Sequence, residues 1–263
     1  TLSPQRKATP MHTYAIQFSP TGGTAHVMTL LGRTFAPQTL IDLANPTTPF
    51  STLSLQSDDL CLFGVPSYGG RVPQIALERI SQIKGNNAKA ILVVVYGNRA
   101  YDDTLLELQN TLTTCGFQPI SAIAAVAEHS IMHQFAAGRP DALDQQELQS
   151  FAQAIQARLS DPAPIPLLQL PGKQPYRTYG GVPFKPQANQ KCTHCGLCAA
   201  QCPVAAISKE DPSRTDPAKC ISCMRCVSLC PQNARKLKKA LLLVASQKMK
   251  KACNTRKGNE LFL

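Results

Sequence analysis

The chain has 263 residues, 43% hydrophobic and 16% charged, with 27 Lys and Arg against 16 Asp and Glu and a formal charge of +11. That is enough for a sizeable core and more than one average domain, and no apolar run approaches the roughly 20 residues of a membrane span. The 11 cysteines of so long a chain argue for metal chemistry in a reducing compartment rather than a disulfide scaffold. With no basic-then-apolar signal pattern after Thr1, the expected location is cytoplasmic.

In chain order, residues 12–18 read as a short apolar strand, 24–34 as a helix, 40–43 and 60–65 as strands, and 73–83 as a helix. Residues 88–96 are rich in Val and Ile, as a strand buried on both faces should be. A helix over 102–115, a fifth strand over 120–126 and a helix over 141–159 follow. Such alternation implies a parallel sheet covered on both sides, with ligands bound beyond the carboxyl ends of its strands. Residues 161–190 carry seven prolines and three glycines, which exclude a regular helix or central strand. Their Leu, Tyr and Phe residues predict an extended connector packed along a surface. Residues 1–160 carry a net charge of −1 and residues 161–263 a net of +12, and nine of the 11 cysteines lie in the second part. The expected division is a nucleotide-binding α/β domain over 1–160, a connector over 161–190, a cysteine-rich domain over 191–232, and a basic helix and tail over 233–263.

The loop after the first strand is Ser19-Pro20-Thr21-Gly22-Gly23-Thr24. Its small residues let backbone N–H groups approach an anion, its hydroxyls add hydrogen bonds, and the following helix adds its dipole. It lacks the Lys of a P-loop and the glycine spacing of a dinucleotide site. This loop resembles the [ST]-x-T-G-x-T phosphate loop of the flavodoxins, which hold flavin mononucleotide (FMN). The resemblance implies a doubly wound, five-stranded parallel sheet of order 2-1-3-4-5 and two further flavin loops. One is Pro66-Ser67-Tyr68-Gly69-Gly70-Arg71, where Tyr68 offers a stacking face and Gly69 and Gly70 match the turn that meets the flavin N5. The other begins Gly97-Asn98-Arg99 and continues to Tyr101 and Asp103, where the family contacts the pyrimidine edge. Flavodoxins surround the ring with acids, whereas Arg71 and Arg99 stand here; a cation near N1 would raise the flavin potential. His129, after the fifth strand, is a candidate proton donor or a loop histidine without a role.

Cys192-x2-Cys195-x2-Cys198-x3-Cys202-Pro203 recurs after 28 residues as Cys220-x2-Cys223-x2-Cys226-x3-Cys230-Pro231. A zinc site uses two pairs of ligands and leaves no reason for three cysteines at every third position. The pattern resembles the bacterial two-cluster ferredoxins, small α+β domains in which the fourth Cys of each run ligates the other [4Fe-4S] cluster. Carried over, cluster I takes Cys192, Cys195, Cys198 and Cys230, and cluster II takes Cys202, Cys220, Cys223 and Cys226. His194 reads as a surface residue, and Cys61, Cys115 and Cys253 as small hydrophobes. Residues 233–257 hold nine Lys and Arg and no acid, with Leu237, Leu241, Val244 and Ala245 at helical spacing. Such a helix either docks its apolar face on the protein itself, touches a membrane surface peripherally, or meets an acidic redox partner; no nucleic-acid motif accompanies the charge. Taken together, the chain resembles the flavodoxin–ferredoxin fusion proteins of anaerobic bacteria. That resemblance implies single-electron transfer between two [4Fe-4S] clusters and FMN, in exchange with redox partner proteins. The alternative is an FMN-dependent reductase of a quinone, nitro compound or other small acceptor. A pocket above the ring lined by His129 or Tyr68 would mark the reductase, and a flavin edge open to protein partners the carrier.

Overall fold

A computed structural model describes residues 12–35 and 38–263. The chain opens with β1 (Thr13–Gln17), α1 (Gly23–Gly32), β2 (Gln38–Asp42), β3 (Leu60–Pro66), α2 (Gln74–Ile80), β4 (Lys89–Tyr96), α3 (Thr104–Thr114), β5 (Gln118–Val126) and α4 (Ala142–Ser160). The five strands pair in parallel in the order 2-1-3-4-5, the flavodoxin-like topology. Every residue from Leu60 to Val65 and from Ala90 to Tyr96 is buried, because helices cover both faces of these central strands. Met28, Leu31, Leu148 and Ile155 bring α1 and α4 onto one face, and Ile80, Leu105, Leu108 and Leu112 bring α2 and α3 onto the other. The register sets Gln17 beside Gly64, Pro66 beside Val95 and Tyr96 beside Val126, so the carboxyl ends of β1, β3, β4 and β5 open on one edge.

Two features go beyond the expected sheet. Helix α2 ends at Ile80, three residues short of the sequence-based boundary, where the Ser81 N–H closes the last turn on Leu77. More consequentially, the sheet has a sixth member: β8 (Glu260–Phe262), at the far end of the chain, pairs antiparallel with β5. It covers an edge that would otherwise present unpaired backbone groups. A polar latch secures it. The Asn259 Oδ1 accepts the Val126 N–H (2.8 Å), and its Nδ2 donates to Asp144 (3.1 Å) and Glu147 (2.6 Å). Asp144, 1% exposed, also accepts from Arg139 Nε (2.8 Å), and its own N–H and that of Leu143 bond the Asp141 carboxylate in the α4 capping box.

Between α4 and the second domain, residues 161–186 form no helix or strand but lie against α3. Gln109 Nε2 donates to the Leu168 carbonyl (2.9 Å), and the Asp103 carboxylate accepts the N–H groups of Lys173 (2.9 Å) and Arg177 (2.7 Å). The second domain holds the short pair β6 (Gln187–Ala188) and β7 (Arg235–Lys236) with two one-turn helices, α5 (Leu197–Ala200) and α6 (Arg225–Ser228). Leu237 and, from helix α7 (Lys239–Cys253), Leu241, Ala245 and Met249 then pack into a cluster with Phe135, Phe184 and Met224, leaving Leu243 and Val244 exposed. Among the described residues, no helix is long and apolar enough to cross a membrane.

Candidate functional site

A cavity of about 420 Å³ lies at the carboxyl edge of the sheet, within the range of cofactor pockets. Of the residues expected to touch a flavin, it is lined by Thr21, Gly23, Thr24, Pro66, Ser67, Tyr68, Gly69, Gly97 and Arg99, together with His129. Gly22 opens α1 at φ 93°, a left-handed conformation that suits glycine, which brings no side-chain cap of its own. Ser19 Oγ accepts the Ala25 N–H (2.8 Å) and the Gly22 carbonyl the His26 N–H (2.9 Å). The Gly23 and Thr24 end of the helix therefore faces the cavity, a fit for a phosphate. Gly69 and Gly70, at φ 60° and 87°, make the tight turn that closes Tyr68 N–H on the Arg71 carbonyl.

Several expected flavin contacts serve other ends. Ser19, Pro20, Gly22, Gly70, Arg71, Asn98, Tyr101 and Asp103 are not on the cavity wall. Asn98 is buried and donates to the Cys253 (2.6 Å) and Thr255 (3.0 Å) carbonyls while accepting the Lys257 N–H (3.0 Å); it fastens the C-terminal tail. Tyr101 donates to Glu260 of β8 (3.0 Å), and Asp103 pins the connector. Arg71 is likewise engaged elsewhere. Its guanidinium forks onto the buried Glu107 carboxylate, donates to the Arg177 carbonyl (2.8 Å) and lies 5.0 Å over the Tyr176 ring. Arg99 remains on the wall, where it shares the Asp102 carboxylate with Arg177 (2.5 Å), so two cations face one acid. As for His129, its Nδ1 accepts the N–H groups of Ile131 (3.1 Å) and Met132 (3.2 Å), and burial brings its pKa down to about 4. At neutral pH the ring is neutral with its proton on Nε2. It can donate a hydrogen bond there.

The opposite wall comes from the later part of the chain. Arg177, Tyr179 and Phe184 of the connector, Ile221 and Ser222 of the second cysteine run, and Met249 of α7 close the cavity from above. Tyr179 lies so close over Gly69 that a Cβ there would come within 2.2 Å of its ring. Burial, the Cys223 thiol and Tyr179 together raise the Tyr68 phenol well above its ordinary pKa, which puts Tyr68 beside the second domain. The domains are joined nearby: Arg79 donates to the Leu43 (2.5 Å) and Pro203 (2.7 Å) carbonyls, Arg225 pairs with Asp42 (3.3 Å), and Ser228 Oγ donates to the Pro20 carbonyl (3.2 Å).

Among the described residues no three His, Cys, Asp or Glu side chains converge tightly enough for a single metal ion. The eight repeat cysteines ring two separate cavities instead. One is lined by Cys202, Cys220, Cys223 and Cys226, the other by Cys192, Cys195, Cys198 and Cys230, the crossed sets that the ferredoxin resemblance implies. Burial pushes the Cys223 and Cys226 thiols up to about 12, so only a bound metal would turn them into thiolates. At Cys230 burial acts the same way but is outweighed by the N–H groups of Ala234, Gln232 and Arg235 and by the Arg235 charge. Each cavity also has an arginine on its wall, Arg225 and Arg235, whose buried Nε has no partner. Orphaned donors beside four thiols fit an anionic group. Lys185 Nζ adds a donor at the Cys220 carbonyl and at Ser222 Oγ (3.2 Å). His194 stays at the surface, 3.7 Å from Asp211, and Cys61 and Cys253 are buried as small apolar groups.

No curated protein matches the chain in sequence. Among solved structures it is similar to a flavodoxin of Streptococcus pneumoniae (14% identity, 56% of this chain and 98% of that one, TM-score 0.41). It is also similar to an archaeal flavodoxin (10%, 57% and 100%, 0.39) and to the Fusobacterium nucleatum flavodoxin bound to flavin mononucleotide (13%, 56% and 99%, 0.39). At such scores the flavodoxin-like assignment rests on the strand order itself. The second domain is similar in sequence to a known family: residues 191–234 match the 4Fe-4S dicluster domain.

Proposed function

We propose that the chain passes single electrons between two [4Fe-4S] clusters and FMN, as the flavodoxin–ferredoxin fusion proteins it resembles do. The observation that carries this reading is Ile221, which lines both the large cavity and the cavity ringed by Cys202, Cys220, Cys223 and Cys226. Cys192, Cys195, Cys198 and Cys230 would hold the more distant cluster. The first turn of α1 with Thr21 and Thr24 would hold the flavin phosphate, and Tyr68 would offer its face to the ring. When bound, the clusters supply one-electron couples and the flavin a couple that takes one or two electrons.

The chain's own residues fix how far apart these groups lie. Arg79, Arg225 and Ser228 seat the ferredoxin module on the sheet edge, so exchange between the halves needs no diffusional encounter. The connector excludes water from above with Tyr179 and Phe184. Neutral His129 holds its Nε2 proton, available for a hydrogen bond at the β5 side of the cavity. Anaerobic purification should return about eight irons and about eight sulfides per chain together with FMN. About four irons or fewer, or no flavin, would refute the reading.

A second reading, a reductase of a small acceptor, is favoured by the roof: Tyr68 and His129 both line a cavity that the connector and Met249 close over. Saturable turnover of a small quinone by the reduced holoprotein would establish it. Reoxidation by protein acceptors alone would leave the carrier role.

A further inference from the structure

We propose that Arg235 is the fixed counter-ion of the cluster held by Cys192, Cys195, Cys198 and Cys230, and that its charge sets that cluster's reduction potential. The inference rests on the cluster assignment above. Arg235 is 2% exposed. Its Nη1 donates to Thr215 Oγ1 (2.5 Å) and the Pro186 carbonyl (3.4 Å), its Nη2 donates to the Pro212 carbonyl, and its Nε has no partner. Among the described residues none of these partners is anionic. A guanidinium stays charged in a protein interior, and a buried charge without a counter-ion is costly enough that such groups are paired. The remaining candidate anion is the content of the cavity on whose wall Arg235 stands, with its four cysteines ligated as thiolates.

The internal repeat supplies a comparison within the molecule. At the 28-residue offset Arg235 corresponds to Ile207, which is buried on the wall of the other cavity, and Arg225 corresponds to Leu197. A buried aliphatic side chain is therefore sufficient for packing at this position of the fold. Arg225 differs from Arg235 in having Asp42 at 3.3 Å and Gln201 at 2.9 Å.

Adding an electron makes a cluster more negative, so a fixed cation favours the reduced form. The test is an EPR-monitored dithionite titration of the full-length holoprotein and of Arg235→Ile, Arg235→Gln and Arg235→Lys. With both clusters present, Arg235→Ile or Arg235→Gln should shift the distant cluster's reduction equilibrium at least tenfold toward the oxidised form. That is 59 mV for a one-electron couple, and Arg235→Lys should keep most of the wild-type value. Both clusters assembled with a shift below about threefold would overturn the proposal. If the neutral variants lose that cluster while Arg235→Lys retains it, the requirement for charge is upheld. Loss in all three, Lys included, overturns it, because a counter-ion role asks for charge. Wild-type protein without clusters would instead refute the assignment on which the proposal rests.

Discussion

Replacing Asn98 with alanine separates a flavin ligand from a structural latch. Asn98 sits on a loop where a flavin contact is expected, yet its side chain makes three bonds of 2.6 to 3.0 Å to residues 253, 255 and 257. At about 1 kcal/mol net for each, Asn98→Ala should cost about 3 kcal/mol. Asn98 also holds φ 64°, where an alanine adds about 1 kcal/mol of strain that Asn98→Gly avoids. The loss should fall on the tail, as faster hydrogen exchange over residues 254–262 by about a hundredfold in the glycine variant. The FMN dissociation constant, read by fluorescence titration, should change less than about tenfold, since Asn98 is off the cavity wall. FMN binding weakened a hundredfold with unchanged exchange in the tail would refute the reasoning.

The pair of arginines around Asp102 makes a second prediction. Arg99→Ala and Arg177→Ala should each shift the flavin equilibrium toward the oxidised form by about tenfold, ~30 mV for a two-electron couple, whereas Arg71→Ala, off the cavity wall, should shift it less. Spectroelectrochemistry of the flavin band checks this. Gly69→Ala, at φ 60° and in collision with Tyr179, should cost about 1–3 kcal/mol and lift the roof, seen as a lower urea midpoint and faster FMN release. His129 predicts a pH dependence. It is neutral when folded down to about pH 4 but takes a proton when unfolded below about 6.5, so folding stability should fall as pH drops between those values. Urea midpoints of wild type and His129→Gln should draw together over that window; a constant difference would count against it.

Much of this architecture is legible in the residues. The Val and Ile run of β4 and the Ser-Thr-Gly loop before α1 announce themselves locally, and the cysteine repeat does so by period. What stays hidden is pairing at a distance. Glu260–Phe262 is too short for a strand signal and finds its partner only because the chain returns to β5. Asn98, Tyr101 and Asp103 are on the expected loops, but whether a polar loop residue faces a ligand or a returning segment depends on residues up to 159 positions away. Arg71 reads as a free cation until Glu107, 36 residues on, is seen beneath it. The roof is invisible for the same reason: a proline-rich connector shows that it is extended, not what it crosses.

Since β8 joins β5 only after the cysteine module and α7 have intervened, the order of synthesis on the ribosome bears on assembly. The β5 edge waits uncovered while about 130 further residues are made, a period in which exposed strand edges invite mispairing. The last strand, with Asn259 and Arg256 beside it, then closes over a module already made.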